Sequence, residues 1–398
     1  MALSLYVNLN MRTKTLFVAT LVSMVAACFS ACTPSVAKEE GPIGLKDVYE
    51  GKFLIGTALN QWQVEGTDTL CVQVVKEHFN AIVAENCMKN GPMHPTENEY
   101  NFKDADAFVK FGVDNGLTIT GHCLIWHSQL APWFCYDADH NLVPADTLKK
   151  RMKEHITTVV SRYKDQIIGW DVVNEAIEDD GSWRNSPLYQ ILGEEFIALA
   201  FQYAHEADPD AELYYNDYNM FMEGKRNTVV KMINDFKARG IKIDAVGMQA
   251  HIGMDYPEMS EFEKSIQAFS EAGVKVMITE LDLSALPTFK RTANVGDAMS
   301  FREMMQKGLP EHLNPYKDGI PDSASVAWNS RMMDFFNLFD KYSDAITRVT
   351  AWGVNDAQSW KNGFPIPGRT DYPLLFDRQY QPKPFVKELI ENYKKNKK

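Results

Sequence analysis

Eight short runs rich in β-branched and aromatic residues recur along the chain, and most are followed by a stretch whose apolar residues return at helical spacing. The strand patterns fall at 53–59, 79–85, 117–126, 167–175, 212–218, 244–252, 275–284 and 347–355. Helical patterns cover 105–115, 148–163, 196–207, 229–239, 261–272, 331–342 and 384–395. Asn115-Gly116 and Arg239-Gly240 read as helix C-caps ahead of the next strand. Eight strand–helix units with no linker between them predict an α/β chain closed into one (β/α)8 barrel. The segment 285–330 is long for a connection, so it is expected to carry extra helix and part of a cleft wall.

A length of 398 residues suits one large barrel, and 45% hydrophobic with 24% charged residues is ordinary globular composition. The formal net charge of −12 argues against nucleic acid as a partner and leaves room for a neutral ligand.

The first residues read differently. From Met11, Arg12 and Lys14 precede an apolar run over 15–28, the pattern of a secretory signal. It is too short and too rich in small residues to favour a permanent membrane helix. Val25-Ala26-Ala27-Cys28 and Phe29-Ser30-Ala31-Cys32 each resemble the lipobox of bacterial lipoproteins, in which the cysteine is lipidated; the alternative is ordinary cleavage beside two incidental cysteines. Residues 1–43 are therefore expected to be leader and tether, and 44–398 the barrel. The expectation is an exported monomer, an outer-membrane lipoprotein facing the periplasm or the exterior, that meets the membrane only through its N-terminal lipid. Past the leader remain Cys71, Cys87, Cys123 and Cys135, which form no CxxC pair and no zinc or redox motif. Export permits a disulfide, and buried free thiols are the other reading.

Two of the strand patterns end alike. Ile168-Gly169-Trp170-Asp171-Val172-Val173-Asn174-Glu175 runs from apolar residues into carboxylates and an amide, and Val276-Met277-Ile278-Thr279-Glu280-Leu281-Asp282 does the same. In a barrel the C-terminal ends of the strands converge on a shared mouth. Glu175 and Glu280 thus suggest a paired-carboxylate site.

Seven stretches then carry a resemblance. They are Glu85-Asn86-Cys87-Met88-Lys89, Gly121-His122-Cys123-Leu124-Ile125-Trp126-His127-Ser128-Gln129, Trp170-Asp171-Val172-Val173-Asn174-Glu175 and Tyr215-Asn216-Asp217-Tyr218-Asn219. Gly247-Met248-Gln249-Ala250-His251, Ile278-Thr279-Glu280-Leu281-Asp282 and Trp352-Gly353-Val354-Asn355-Asp356 complete them. Together, in this order, they resemble the family-10 glycoside hydrolases, whose usual member is a retaining endo-β-1,4-xylanase.

That resemblance implies Glu175 as general acid/base and Glu280 as nucleophile, acting on xylan and xylo-oligosaccharides without cofactor or metal. A glycosidic oxygen is a poor leaving group and needs a proton, while the anomeric carbon needs an ionised carboxylate on its other face. Carboxyl groups about 5–5.5 Å apart give a covalent intermediate and retention. The resemblance places Asn174 on the sugar 2-OH and Gln249 on the sugar beside it. His251 is placed against the nucleophile, held in turn by Asp282, and Asp171 supports Glu175 from four residues before it. Glu85, Asn86, Lys89, His122 and Trp126 are implied as subsites on the non-reducing side of the cleavage point, with His127 behind them. Trp352 and Trp360 supply flat rings, Gln129 and Trp360 stand where a hydroxymethyl group would protrude, and Asn216 and Tyr218 are candidates for the other side. Departures from the family pattern sit at Cys87, at Asn90-Gly91-Pro92 and at His94, and are expected to alter a distal subsite wall. A β-1,4-glucan-cleaving enzyme on the same site, or a surface glycan-binding lipoprotein without catalysis, are the competing readings.

Overall fold

Residues 41–287, 309 and 311–397 are described by the structure, a computed structural model. The chain divides into two units at Gly41 and Pro42, and all the elements below belong to the second. Cys28 and Cys32 lie outside the described residues.

Nine strand segments form the sheet: β1 (Leu54–Leu59), β2 (Ala81–Ala84), β3 (Thr118–Trp126), β4 (Gly169–Asn174), β5 (Glu212–Asp217), β6 (Ala245–Met248), β7 (His251–Gly253), β8 (Lys275–Ser284) and β9 (Ile346–Ala351). Every pairing is parallel, and β9 closes the ring on β1 with Leu54 opposite Arg348. β6 and β7 both pair with β8 and are two halves of one barrel strand, so the eight expected strands close as a (β/α)8 barrel. The sixth strand is broken where the sequence pattern runs on. Gln249 still donates its N–H to Asp217 O and accepts from Glu280 N. Ala250 then takes a left-handed turn at φ 60 and interrupts the ladder.

Strands buried on both faces pack against helices whose apolar residues repeat three or four apart. In the helix Ala145–Arg162 these are Leu148, Met152, Ile156, Val159 and Val160. Gly121 of β3 is required by close approach, since a Cβ there would stand 2.0 Å from the ring of Trp170 on β4. Gly116 and Gly240 end their helices in left-handed conformation at φ 64 and 68, as their positions predict.

Among the longer helices, two depart most from expectation. Thr69–His78, between β1 and β2, starts at Asp68, whose side chain accepts the Cys71 N–H. Asp322–Lys341 begins well before position 331 because its first turns, with Val326 exposed, carry no apolar period. Of the long connection 285–330, residues 288–308 lie outside the described residues. Cys71, Cys87, Cys123 and Cys135 are free thiols. No helix among the described residues is long and apolar enough to cross a membrane.

Candidate active site

The C-terminal ends of the strands open on a cleft of about 700 Å³. Glu85, Asn86, Lys89, His122, Trp126, His127, Gln129, Asn174, Glu175, Tyr218, Gln249, His251, Glu280, Trp352 and Trp360 all line it. A parallel barrel explains the convergence, because these side chains lie from the middle of a strand onward or in the loop that follows it.

Glu280 is buried in β8 and held from two sides. Asn216 Nδ2 donates to its Oε1 at 2.8 Å, and His251 Nε2 lies 3.1 Å from its Oε2. The other nitrogen of His251, Nδ1, is 2.9 Å from Asp282 Oδ2. Asp282 has no exposure and also accepts the Trp360 indole N–H at 2.8 Å, while Lys361 Nζ is 3.5 Å from its second oxygen. Burial disfavours the imidazolium, yet the Asp282 charge and the bonds to both carboxylates raise His251 to about 9. As an imidazolium it donates from both nitrogens. Burial likewise pushes the Glu280 carboxyl up, but the His251 bond, the neighbouring imidazoles of His122 and His251, and Asn216 hold it below its usual range. Glu280 is a carboxylate kept charged in a buried place.

Glu175 is built differently. It follows β4 in a left-handed conformation, φ 57, and is partly exposed to the cleft. Trp126 Nε1 donates to Oε2 at 2.9 Å, and Gln249 Nε2 to Oε1 at 3.0 Å. Among the described residues no cationic side chain bonds its carboxyl. The two glutamates are joined by amides: Asn216 Nδ2 also donates to Asn174 Oδ1 at 3.0 Å, and Asn174 Nδ2 is 3.4 Å from Glu175 Oε1.

Asn216 corrects the sequence reading. It is fully buried, lies beneath the cleft rather than along it, and accepts Thr279 Oγ1 at 2.6 Å. Its position on β5, between β4 and the sixth strand, turns it inward to brace Asn174 and Glu280, and it does not line the cleft. Asp171 is also redirected. It pairs with His122 Nδ1 at 2.9 Å, both buried, and so supports His122 rather than Glu175. The β4 register shifts between Asp171 and Val173, and the four-residue spacing no longer counts along one face.

On the wall beside Trp126, Lys89 is buried with Nζ 3.1 Å from Asn86 Oδ1 and 4.8 Å above the Trp126 ring. Burial raises the Glu85 carboxyl, against the Lys89 charge and a hydrogen bond from Asn60. Asn60, which no sequence motif singled out, also accepts from Asn86 at 3.3 Å and ties β1 to this wall. His127 is lowered to about 4 by burial and by Arg184, and sits edge-on to Trp126. Trp352 is edge-on to His122, and Trp360 stacks on Phe364.

The departures at 90–94 lie behind the wall, not in it. Asn90 accepts the Ala131 N–H at 2.9 Å and Gly91 N–H donates to Gln129 O at 2.9 Å, so this turn braces the loop carrying Gln129. His94 is buried in a stack with Tyr100, and its Nδ1 is 3.1 Å from Nδ1 of His155. Neither Asn90 nor His94 lines the cleft. Ser128, Asn219, Tyr256 and Phe364 line it without having been anticipated. Ser128 and Asn219 lay inside the quoted motifs, whereas Tyr256 and Phe364 sit in loops that follow no periodic pattern.

The model of glycosyl hydrolase family 10 matches residues 44–392. The chain belongs to that family. Among individual proteins, it is similar to endo-1,4-beta-xylanase A of Xylanibacter ruminicola, at 48% identity over 90% of this chain and 96% of the relative. An endo-1,4-beta-xylanase of Geobacillus stearothermophilus is 37% identical over 85% of this chain and 96% of its own. Among solved structures, a family-10 endoxylanase from a sugarcane soil metagenome superposes with a TM-score of 0.80 at 42% identity, covering 88% of this chain and 99% of that one.

Proposed function

We propose that the chain is an endo-1,4-β-xylanase that hydrolyses internal β-1,4-xylosidic bonds of xylan and xylo-oligosaccharides with retention of configuration. The observation that carries this reading is the unequal setting of two glutamates in one cleft. Glu280 is held ionised by His251 and Asn216. Glu175 faces the cleft with neutral donors, the Trp126 indole and the Gln249 amide, on its carboxyl.

Glu280 attacks the anomeric carbon while Glu175 protonates the departing glycosidic oxygen, leaving a glycosyl ester on Glu280. Water, deprotonated by Glu175, then cleaves the ester. Asn174, one residue before Glu175, is placed to hold the sugar 2-OH. Glu85, Asn86 and Lys89 bind hydroxyls of the non-reducing portion, and Trp352 and Trp360 face its sugar rings. An intact carboxylate pair speaks against a binding protein, since binding requires neither acid nor nucleophile.

The two glutamates are expected to fail differently. Glu280→Ala stops turnover on every substrate. Glu175→Ala still forms the covalent intermediate from aryl glycosides whose leaving group needs no proton, then stalls, and azide restarts it as a β-azide product. Equal loss in both variants without azide rescue would falsify the assignment. Reducing-sugar release from xylan, compared with β-1,4-glucan, separates the xylanase from its glucan-cleaving alternative.

We further propose that the protein is exported and held at the outer membrane by a lipid on Cys28 or Cys32, and works as a monomer. The support is the basic, apolar and small-residue order of the leader.

A further inference from the structure

The motif 215–219 contains an aspartate that the reaction above does not use. Asp217 has no exposure, and neither has its partner Lys225, whose Nζ lies 2.9 Å from Asp217 Oδ1. Neither lines the cleft. A buried ion pair is weak support for stability, because two charges must be taken out of water to form it. What this pair holds is the chain that leaves β4 at Glu175.

Glu175 has φ 57, a conformation that a non-glycine residue keeps only where its surroundings impose it. The imposing contacts are complete along the backbone. Glu175 N–H donates to Asn216 O at 2.9 Å, and Glu175 O accepts Arg184 Nε at 2.8 Å. Ala176 N–H donates to the Tyr215 hydroxyl at 3.0 Å, and Ile177 N–H points at Asp217 Oδ2 at 3.4 Å. The Tyr215 hydroxyl donates to that same oxygen at 2.6 Å. Lys225 Nζ also donates to Tyr218 O at 3.0 Å and lies 3.3 Å from Asp179 Oδ1. Arg184 Nη2 donates to the Tyr218 hydroxyl at 2.6 Å, which joins the network to the cleft wall.

We propose that Tyr215, Asp217 and Lys225 are positioning residues for the general acid/base: they grip the two residues after Glu175 and so fix its carboxyl between Trp126 and Gln249. The inference rests on the reading of Glu175 as acid/base. Asp217 turns its two oxygens to different tasks, one neutralised by Lys225 and one bound to the hydroxyl and amide that anchor residues 176 and 177. Without the Asp217 carboxylate the hydroxyl loses its acceptor and the left-handed turn loses its anchor, and without Lys225 that carboxylate is left buried with no cation on Oδ1, while β5 keeps its place in the ring.

A misplaced acid is felt only where a proton is needed. Tyr215→Phe, Asp217→Asn and Lys225→Met are compared with Glu175→Ala on phenyl and 2,4-dinitrophenyl xylobiosides. kcat/KM is the readout, because it reports bond cleavage up to the glycosyl ester. The three variants are expected to lose activity on the phenyl substrate by about 10- to 100-fold, the scale of a displacement of up to about 1 Å, and to keep nearly all of it on the dinitrophenyl substrate. A merely structural role lowers both alike. Tyr215→Phe removes one hydroxyl and keeps the ring, so it carries the test where a charge-removing variant does not fold, and thermal melts establish which variants fold. If Glu175→Ala shows the leaving-group split and the folded variants lose both substrates equally, or lose neither, the positioning role is overturned. If Glu175→Ala itself shows no split, the acid/base reading falls and the inference falls with it.

Discussion

Nε2 of His251 lies 3.1 Å from Oε2 of Glu280, and the ring is fixed from behind by Asp282 at 2.9 Å. The imidazole is raised from 6.5 to about 9 because, against its burial, it serves two carboxylates at once. A raised folded value contributes stability that is full below about pH 6.5 and is lost as pH rises through about 9. Thermal or urea unfolding between pH 6 and pH 10 should therefore show a loss of at most about 3 kcal/mol from this group. His251→Asn should flatten that slope. It should also move the acid limb of kcat/KM to higher pH, since Glu280 loses the cation that keeps it ionised. An unchanged acid limb in the variant would remove His251 from the support of Glu280.

Asn216 gives a second test, of geometry rather than charge. Asn216→Ala strips a donor from both Glu280 and Asn174 in a buried place. A loss of about 1–3 kcal/mol in stability is expected, together with a fall in kcat larger than any change in KM. Asn216→Asp sets a second carboxyl against Glu280, so the acid limb should rise further than in the alanine variant. A KM effect alone would mean that Asn216 reaches the substrate after all.

Xylose and glucose differ by one hydroxymethyl group, and Gln129 and Trp360 both line the cleft where it is proposed to protrude. A clash or stranded polar group there costs about 1–3 kcal/mol, on the order of 10–200-fold in kcat/KM. Aryl xylobioside should beat aryl cellobioside by that margin. Gln129→Gly and Trp360→Ala should narrow it, and Trp360→Ala should also slow the xylose reaction because Asp282 loses a hydrogen bond. Preference for cellobioside in the parent, or a ratio that neither change moves, removes the choice of xylan and leaves the two glutamates standing.

Expression with the natural leader in a bacterial host should place activity in the membrane fraction. A single acyl chain binds only marginally, so stable attachment needs the several chains of a lipoprotein cysteine. Replacing both Cys28 and Cys32 by Ser should release the enzyme. Activity already soluble in the periplasm or medium with the parent leader counts against the anchor.

The barrel was legible because its strands are short runs of β-formers separated by helical spacing, a pattern that survives folding almost unchanged. β3 and β8 sit within a residue of their expected limits. Glu175 and Glu280 were legible as polar residues ending apolar strands, while the rest of the cleft lining was legible only through the resemblance carried by the seven motifs. What escaped notice depended on direction. Asn216 lies on β5 and Tyr218 one residue past its end, yet one is buried under Glu280 and the other lines the cleft. The break at Ala250 has no glycine to announce it, and the pairing of Asp171 with His122 depends on a register shift. Side-chain aim and register are set by neighbouring strands far away in sequence, so no local spacing records them.

The left-handed turn at Glu175 sets limits on how this enzyme can be rebuilt. A residue held in an uncommon backbone shape by its neighbours cannot be transplanted as a motif, because the shape is owned by β5 and not by the strand that carries the acid. Trimming or grafting loops at the mouth leaves β5 untouched and is free to alter product length or tolerance of branches. Exchanging β4 alone between distant relatives is not: the glutamate would arrive with its sequence intact and its carboxyl misaimed. Units for recombination should therefore run from β4 through the helix Glu223–Ala238, so that the turn travels with Tyr215, Asp217 and Lys225.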